Sequence, residues 1–360
     1  MNEMSCVFRV DASIRIGAGH VMRCLAVAEQ LKKHIQTIVF ICRKSDADLI
    51  SYIQAQGYQV VALSALEKSV SLEEDSASCN SEVEALVLFT LKKHNPCCCI
   101  VDHYEIDWRW ESAIQPFCEK LCVIDDLANR KHSADFLLDS ELGEKKAKYR
   151  RLLPPTCRLL LGPSYALLRV EFKKLAPLVQ KKIEQFQEVK GILINVGAYD
   201  QKNIIPTIVR VILSLSVKIK IRIVVSSKSP NIHEIRSLVD QSPHDITLCC
   251  DVKKMALEII KSDLSVGSVG GSAYERAALG VSGCIIPTAN NQENIAKEFE
   301  RLELATLVVL DQYFIQNLTS ALKTLIDSPK RLKQMAINGV KKIDVNGTGK
   351  FVSQLLENDS

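Results

Sequence analysis

The feature that most constrains the fold is a regular alternation of short apolar runs with amphipathic stretches along nearly the whole chain. Apolar runs at residues 6–10 and 37–42 have the length of buried strands, and Val21, Cys24 and Ala28 between them recur at helical spacing. Strands that alternate with helices favour a mostly parallel sheet with helices on both faces. The pattern therefore predicts an α/β fold.

The alternation occurs in two series. The first predicts strands at residues 6–10, 37–42, 59–63, 97–102, 121–125 and 158–161, with a polar loop at 64–81 and a helix at 82–94. The second follows a charged stretch and predicts strands at residues 191–196, 219–225, 246–249, 263–266 and 284–287. Two series predict two facing Rossmann-like domains with an interdomain cleft. We expect these domains at residues 1–170 and 171–345, followed by a C-terminal helix at 346–360 that packs back on the first domain.

Composition excludes several classes of protein. The 360 residues carry 46 Lys and Arg against 42 Asp and Glu, a net charge of +4, which argues against nucleic-acid or membrane partners. No apolar run approaches the roughly 18 residues of a membrane helix. The N-terminal residues lack the pattern of a signal peptide. Thirteen cysteines without a zinc-type spacing predict reduced thiols and a cytoplasmic location.

The first motif with chemical potential is Gly17-Ala18-Gly19-His20, between the first strand and the first helix. Glycines allow a tight turn, and the free N–H groups at a helix start favour an anion. Histidine normally titrates near neutral pH, which suits a general base. The alternative is a glycine turn with an incidental surface histidine. GxGxxG is incomplete here, so a dinucleotide site is not supported.

A second glycine motif, at residues 267–275, again lies between a predicted strand and a predicted helix. The same N–H groups and helix dipole favour a phosphate group. Glu275, expected on the first turn of the helix, is suited to accept hydrogen bonds from both hydroxyls of a ribose. The alternative is an acidic residue that only interacts with the helix dipole.

A third motif, Asn290-Asn291-Gln292, follows the strand at 284–287. Side-chain amides both donate and accept hydrogen bonds, which suits sugar hydroxyls or N-acetyl groups. The alternative is helix capping by asparagine.

Carboxylates and a histidine also follow predicted strands: Asp11 the first, Asp102 and His103 the fourth, and Asp125 with Asp126 the fifth. Parallel sheets bind ligands at this edge. A divalent metal is conceivable at Asp102 with His103, or at Asp125 with Asp126, but a third local ligand is missing. We expect no metal and no cofactor. The absence of GxxxxGK[ST] and GxSxG patterns excludes P-loop ATPases and argues against serine hydrolases.

Several blocks of sequence, in the same order along residues 5–345, resemble the UDP-2,4-diacetamido-2,4,6-trideoxy-β-L-altropyranose hydrolases of pseudaminic acid biosynthesis. These blocks are RVDASIRIGAGHVMRCLAVAEQL, VDHYEIDWRWE, VIDDLANRKHSADFLLD and LLLGPSYALLRVEF. Residues 191–203 resemble the opening of the family's second domain, residues 267–280 resemble its GxxGxTxWERxxLG block, and Asn291-Gln292 resembles its NQ pair.

The resemblance implies a GT-B-type architecture, because that family is similar in fold to the glycosyltransferase that makes lipid II. It implies hydrolysis of the bond between the anomeric carbon and its oxygen, with inversion, release of UDP and no metal. The family's general base falls on His20, which Asp11 or Asp102 is expected to orient. The predicted substrate-binding residues are Asp11, Gly17, Gly19, Arg23, Asp102, Tyr104, Gly197, Gly270, Gly271, Ser272, Glu275, Asn291 and Gln292.

One departure from the family lies at residues 197–200, which read GAYD where the family has GGxD. The methyl group of Ala198 is expected to crowd a close backbone approach and to resist a positive φ. Tyr274 replaces a tryptophan and keeps an aromatic face. Two alternatives remain: a related glycosyltransferase or hydrolysing UDP-GlcNAc 2-epimerase, and a catalytically poor UDP-sugar-binding protein. The only partner expected is the small-molecule UDP-sugar, bound by a monomer.

Overall fold

The structure, a computed structural model, describes residues 4–65, 85–215 and 217–357. The polar loop expected at 64–81 lies outside these residues from position 66 onward. Residues 82–84 of the helix expected at 82–94, and residues 358–360 of the C-terminal segment, also lie outside them. The chain divides into two units, Met1–Arg169 with Asn346–Ser360, and Val170–Val345.

The sheet of the first unit is entirely parallel. Within the described residues its strands are β1 (Ser5–Val10), β2 (Thr37–Arg43), β3 (Gln59–Leu63), β4 (Cys98–Asp102), β5 (Leu121–Ile124), β6 (Phe136–Asp139) and β7 (Arg158–Leu161). Their order is β3-β2-β1-β4-β5-β6-β7. The central strands β1, β4 and β5 are buried along their whole length, as expected for a sheet covered on both faces.

Helices connect these strands. They are α1 (Gly19–Leu31), α2 (Ile50–Ala55), α3 (Ala85–His94), α4 (Trp108–Ile114) and α5 (Lys146–Tyr149). The sequence pattern missed β6, because its four residues FLLD are too short to stand out, and it missed α4.

The sheet of the second unit is also parallel. Its described strands are β8 (Gly191–Asn195), β9 (Lys220–Val225), β10 (Ile246–Cys250), β11 (Leu264–Ser268), β12 (Gly283–Ile286) and β13 (Thr306–Leu307), in the order β10-β9-β8-β11-β12-β13. Its helices are α6 (Val170–Gln185), α7 (Ile205–Ser214), α8 (Ile232–Asp240), α9 (Met255–Ile260), α10 (Gly271–Ala278), α11 (Glu293–Arg301), α12 (Phe314–Asp327) and α13 (Pro329–Lys342). The second series read from the sequence ends with the strand at residues 284–287, so it does not include β13, α12 and α13.

The strand order reverses beside the first strand of each unit, between β1 and β4 and between β8 and β11. In open parallel sheets, ligands bind at the carboxyl ends of the strands beside such a reversal. The prediction of two Rossmann-like α/β domains with parallel sheets is confirmed. The fold therefore directs attention to the carboxyl ends of β1 and β4 in one unit, and of β8 and β11 in the other.

The consecutive cysteines illustrate how the first sheet is buried. Cys98 packs in the apolar cluster that contains Phe8 and α1, whereas Cys99 packs in the cluster on the other face, with Trp110. Successive side chains of a strand point to opposite faces, so the run fits a strand covered on both sides. Both cysteines are free, and burial holds the pKa of the Cys99 thiol well above its usual value. The strand predicted at residues 97–102 is confirmed for Cys98–Asp102, whereas Cys97 precedes it and is half-buried.

The last helix, α14 (Gly347–Leu356), belongs to the first unit. Phe351 lies in the cluster that also contains α1, and the Thr348 hydroxyl donates to the carbonyl of Leu168 at 2.7 Å. No helix in the described ranges combines the length and apolarity needed to cross a membrane.

Candidate functional site

A tight turn leads from β1 into α1. The N–H of Gly17 donates to the carbonyl of Ser13 at 2.8 Å, and Gly17 has a φ of +81°, a left-handed value that suits glycine. The Ala18 cap contributes no side-chain hydrogen bond, so the first turn of α1 has uncapped N–H groups at the carboxyl edge of the sheet. Gly19 is exposed and has open space where a Cβ would stand. Such a turn favours an anion.

His20, the second residue of α1, contacts Asp102, the last residue of β4. Its Nδ1 lies 2.6 Å from Oδ1 of Asp102, and the two residues are 7% and 1% exposed. Because the carboxylate accepts hydrogen bonds when ionised, we assign the proton of this contact to Nδ1. Within the part of the chain that the structure describes, Nε2 has no hydrogen-bond partner. The imidazole is therefore oriented by one nitrogen and available at the other.

Arg23 fixes the ionised state of Asp102. Its Nε and Nη2 donate to the two carboxylate oxygens, each at 2.6 Å, and the Cys24 thiol lies 3.6 Å from Oδ2. Burial alone would raise the pKa of Asp102, but Arg23 and His20 outweigh it and hold that pKa well below its usual value. Residues spaced three and four apart share one face of a helix. Therefore His20, Arg23 and Cys24 of α1 all reach Asp102.

Arg23 also reaches a second carboxylate. Its Nη1 donates to Asp126, just after β5, at 2.7 Å. Tyr104, which follows β4, packs edge-on against His20 with ring centroids 4.5 Å apart. Burial, reinforced by Asp126, holds the pKa of the Tyr104 hydroxyl well above its usual value, so Tyr104 is neutral. The tyrosine ring restricts rotation of the imidazole.

Asp11 forms a different histidine pair. It accepts two hydrogen bonds from Arg9, at 2.5 and 2.9 Å, and one from the backbone N–H of Arg43. His103 Nε2 lies 3.0 Å from Asp11, while Nδ1 of the same ring accepts from the N–H of Glu105. Of the two candidates for orienting His20, the structure thus places Asp102 in contact and Asp11 elsewhere. A substrate contact by Asp11 stays a prediction.

The aspartates considered as metal ligands face basic groups. Asp125 accepts from Arg130 Nη1 at 2.6 Å and from the Tyr149 hydroxyl, and Asp126 accepts from Arg23. Within the described ranges, no three His, Cys, Asp or Glu side chains converge as ligands for a metal ion.

A concavity of about 470 Å³ lies at the other end of α1, away from His20. Polar and basic side chains such as Gln30, Lys33 and Lys350 line it. Because α1 begins at the carboxyl edge of the sheet and ends at the opposite edge, this concavity takes no part in the His20 cluster.

In the second unit, the turn after β8 depends on Gly197. This residue has a φ of +97°, and a Cβ there would lie 4.0 Å from Ser268 Oγ. Ala198 does not have a positive φ, and its carbonyl accepts a hydrogen bond from the N–H of Ser226 at 2.8 Å. Ala198 therefore does not have to adopt the positive φ that its methyl group would resist, because the turn requires that conformation of Gly197 instead. That the methyl group crowds a close backbone approach stays a prediction.

The second glycine motif forms the end of β11 and the start of α10. The strand continues through Ser268, the cap is Gly270, and the helix begins at Gly271 without a side-chain cap. Gly271 is exposed with open space around it. Glu275 is the fifth residue of α10, so it lies beyond the first turn, contrary to expectation, because the helix already begins at Gly271, earlier than the pattern indicated. Ser272 and Glu275 are both half-buried.

Gln292 faces the same motif. Its Oε1 accepts from the N–H of Thr288 at 2.9 Å, and its amide Nε2 lies 3.8 Å from where a Cβ of Gly270 would stand. Asn291 is exposed in a 3₁₀ turn that precedes α11. Neither this turn nor α11 has a side-chain cap, so the capping interpretation is wrong.

The structure groups the predicted residues into two sets, one in each unit. Contacts link Asp102 to His20 and Arg23, and His20 to Tyr104, beside Gly17 and Gly19. In the second unit, Gln292 lies close to Gly270. Asp126 was missed as a partner of Arg23, although its position after β5 had marked it as a polar strand end. Arg276 was also missed, and its spacing four residues after Ser272 was the available signal.

Comparison with known proteins first defines the class of fold. Residues 171–346 match the glycosyltransferase family 28 C-terminal domain. The crystal structure of Acinetobacter baumannii MurG has a TM-score of 0.65, 14% identity and coverage of 98% of this chain and 99% of its own. UDP-GlcNAc 2-epimerase from Neisseria meningitidis, bound to UDP-GlcNAc, has a TM-score of 0.64, 18% identity and coverage of 99% and 100%. The chain thus has the two-domain Rossmann-like fold of GT-B glycosyltransferases and epimerases.

Two further proteins are similar to this chain in sequence. UDP-2,4-diacetamido-2,4,6-trideoxy-beta-L-altropyranose hydrolase from Campylobacter jejuni is 27% identical over 294 residues, which cover 81% of this chain and 95% of the relative. An uncharacterized protein from Methanocaldococcus jannaschii is 27% identical over 285 residues, 77% of this chain, and the match spans about half, 54%, of that relative.

Proposed function

We propose that the chain hydrolyses UDP-2,4-diacetamido-2,4,6-trideoxy-β-L-altropyranose to UDP and the free sugar, a step of pseudaminic acid biosynthesis. The observation that carries the proposal is the His20–Asp102 pair, 2.6 Å apart, whose outer nitrogen has no partner in the described part of the chain. The likeness to the Campylobacter jejuni hydrolase over 95% of its length supports the choice of substrate.

His20 is the general base of the proposed reaction. Asp102 accepts a hydrogen bond from the Nδ1–H group, which leaves Nε2 to take a proton from water. The water oxygen bonds to the anomeric carbon, the bond from that carbon to the UDP oxygen breaks, and its electron pair leaves with UDP. Attack opposite the leaving group inverts the anomeric configuration. The Asp102 carboxylate balances the positive charge that develops on the imidazole.

The second unit supplies the groups for the leaving UDP in this proposal. The uncapped first turn of α10, at Gly271 and Ser272, offers N–H groups for the diphosphate. Gly270 and Gly197 permit the close approach that this contact needs. Glu275 is proposed to contact the ribose of UDP. Asn291 and the side-chain amide of Gln292 are proposed to contact the diacetamido sugar. No strong general acid is required, because a stabilised diphosphate is a good leaving group.

The direct test is incubation of the purified chain with the UDP-linked diacetamido-trideoxyaltrose, following UDP by chromatography and the free sugar by NMR. In ¹⁸O-labelled water, we expect the label in the anomeric hydroxyl of the sugar and none in UDP, with inversion in the first NMR spectra. Label in UDP, or no UDP release at all, contradicts the proposal.

A second candidate is a related sugar-nucleotide enzyme, favoured by the match of residues 171–346 to a glycosyltransferase C-terminal domain. A transferase releases UDP only when an acceptor is present, and a hydrolysing 2-epimerase gives a sugar inverted at carbon 2 rather than at the anomeric centre alone. The same incubation distinguishes these outcomes. A third candidate, a catalytically poor UDP-sugar-binding protein, now rests only on crowding of the ligand by the Ala198 methyl group, because Ala198 has no positive φ.

A further inference from the structure

Arg276 is a buried cation directly behind the glycine motif of the second unit. It is 2% exposed and lies on α10. Its Nη2 donates to the carbonyl of Ser268 at 2.8 Å, and its Nη1 donates to Ser272 Oγ at 3.0 Å. These two acceptors lie on either side of Gly270 and Gly271, so one guanidinium holds both sides of the motif.

The local sequence explains why the guanidinium fits there. Ser272 and Arg276 are four residues apart and share one face of α10. On the strand side, a Cβ at Gly267 would lie 2.8 Å from Arg276 Nη1 and even closer to the carbonyl oxygen of Asn195. Gly267, inside β11, therefore provides the space that the guanidinium occupies.

The charge of Arg276 has no ion-pair partner within 4 Å among the described residues. Burial lowers the pKa of its guanidinium to about 10, and the more distant Glu275 opposes this shift. Arg276 thus remains a cation at neutral pH although burial disfavours its charge. A buried charge without a counter-ion is costly, and its interaction with an opposite charge is stronger than at the surface.

We propose that Arg276 is a positioning residue that shapes the Ser268–Ser272 motif and supplies the counter-charge for a nucleoside diphosphate. The inference rests on the proposed function, since it assumes that this motif receives UDP. The bound diphosphate acts as a counter-ion for Arg276, which forms no ion pair within 4 Å among the described residues although Glu275 is near. The N–H groups of the motif bind the phosphates directly, and the guanidinium acts on them from behind.

The test compares the affinities of UDP and uridine by titration calorimetry, for the full chain and for Arg276→Met. Methionine keeps an unbranched side chain but removes the charge. We expect Arg276→Met to weaken UDP binding by roughly 10- to 100-fold while uridine binding changes less than about twofold. The matched control is Arg301→Met, which removes an exposed arginine paired with Glu298 in the same unit and leaves the ratio unchanged.

A second variant, Arg276→Lys, gives a readout that a purely structural role would not move. Burial lowers the pKa of a lysine placed there, so its charge is lost at a lower pH than that of arginine. We expect UDP affinity of this variant to fall as pH rises from about 6.5 to about 8.5, while the unaltered chain, in which Arg276 stays protonated over this range, changes little. A flat profile in Arg276→Lys, or equal losses for UDP and uridine in Arg276→Met, overturns the inference.

Failure of the proposed function is separately visible. If the unaltered chain binds neither UDP nor uridine, the proposed function fails and the inference fails with it. If the unaltered chain binds UDP and Arg276→Met keeps the same preference for UDP over uridine, the inference alone fails. If Arg276→Met does not fold, the pH profile of Arg276→Lys still decides.

Discussion

The two units share a strand order but differ in what they present at the reversal of that order. At β1 and β4, ionisable side chains converge, with His20, Asp102 and Arg23 in direct contact. At β8 and β11, backbone groups and glycines dominate, and the charged side chain in contact with the motif, Arg276, lies behind it. In the proposed function, the same fold thus serves proton transfer at one edge and anion binding at the other.

This difference shows that the reversal of strand order determines where such a site lies, but not which side chains occupy it. Both helices that start there, α1 and α10, have uncapped first turns. What distinguishes them is the residue that follows the glycine: His20 in α1 and Ser272 in α10. Substitutions in each unit should therefore affect different measurements, turnover for the first and nucleotide affinity for the second.

The largest effect is expected for His20→Asn. Loss of the proposed base should reduce kcat by roughly two to four orders of magnitude, while the Kd for UDP changes less than about twofold. Steady-state kinetics and calorimetry on the same preparation measure both. Turnover close to that of the unaltered chain would remove His20 from the mechanism.

Asp11→Asn should act on stability rather than on the base. Burial opposes ionisation of Asp11, but Arg9 and His103 outweigh it and hold its pKa well below the usual value. A depressed folded pKa stabilises the fold above the unfolded pKa, near 4, and this contribution is lost as pH falls below it. We expect a loss of about 3 kcal/mol at pH 7, measured by urea unfolding, and a weaker acid dependence than in the unaltered chain. If the free energy of unfolding fell equally on acidification in Asp11→Asn and in the unaltered chain, the depressed pKa of Asp11 would be contradicted.

Asp102→Asn tests whether the Asp102–His20 pair, and not the Asp11–His103 pair, determines turnover. Because Asp102 orients His20, we expect kcat to fall by roughly 10- to 100-fold with little change in the Kd for UDP. Asp11→Asn is the matched control, measured on folded protein, since its ring partner is His103 and not His20. An equal fall of kcat in both variants would mean that the two pairs do not have separate roles.

Gly197→Ala tests the backbone of the second unit. Alanine at a φ of +97° is strained by about 1–2 kcal/mol, although its Cβ meets no close neighbour. We expect weaker UDP binding, by roughly tenfold, with kcat at saturating substrate nearly unchanged. Unchanged affinity would show that the turn after β8 does not shape the nucleotide site.

Ala198→Gly should have the smallest effect. Because Ala198 has no positive φ, glycine relieves no strain there and only adds freedom to the unfolded chain. We expect UDP affinity within about twofold and a stability loss below about 1 kcal/mol. A gain of tenfold or more in UDP affinity would instead show that the methyl group obstructs the ligand.

The fold could be predicted from the sequence because its strands are apolar runs separated by helices. The limits were local: FLLD is too short to register as a strand, and the glycines at 267–271 concealed where β11 ends. The turn that carries His20 was predictable from the GAGH motif at residues 17–20. Its partners were not fully predictable, since Arg23 joins carboxylates 79 and 103 residues away and no local pattern encodes such pairings. The choice between Asp11 and Asp102 likewise depended on tertiary contacts.

The return of α14 to the first unit has a consequence for biosynthesis. The cluster that supports α1 includes Phe351, Val352 and Leu355, so the first unit needs residues encoded after the whole second unit. On the ribosome, residues 170–345 emerge before that cluster can be completed. The second unit therefore has the opportunity to fold while α1, which carries the proposed base at its start, still lacks the last helix that packs against it.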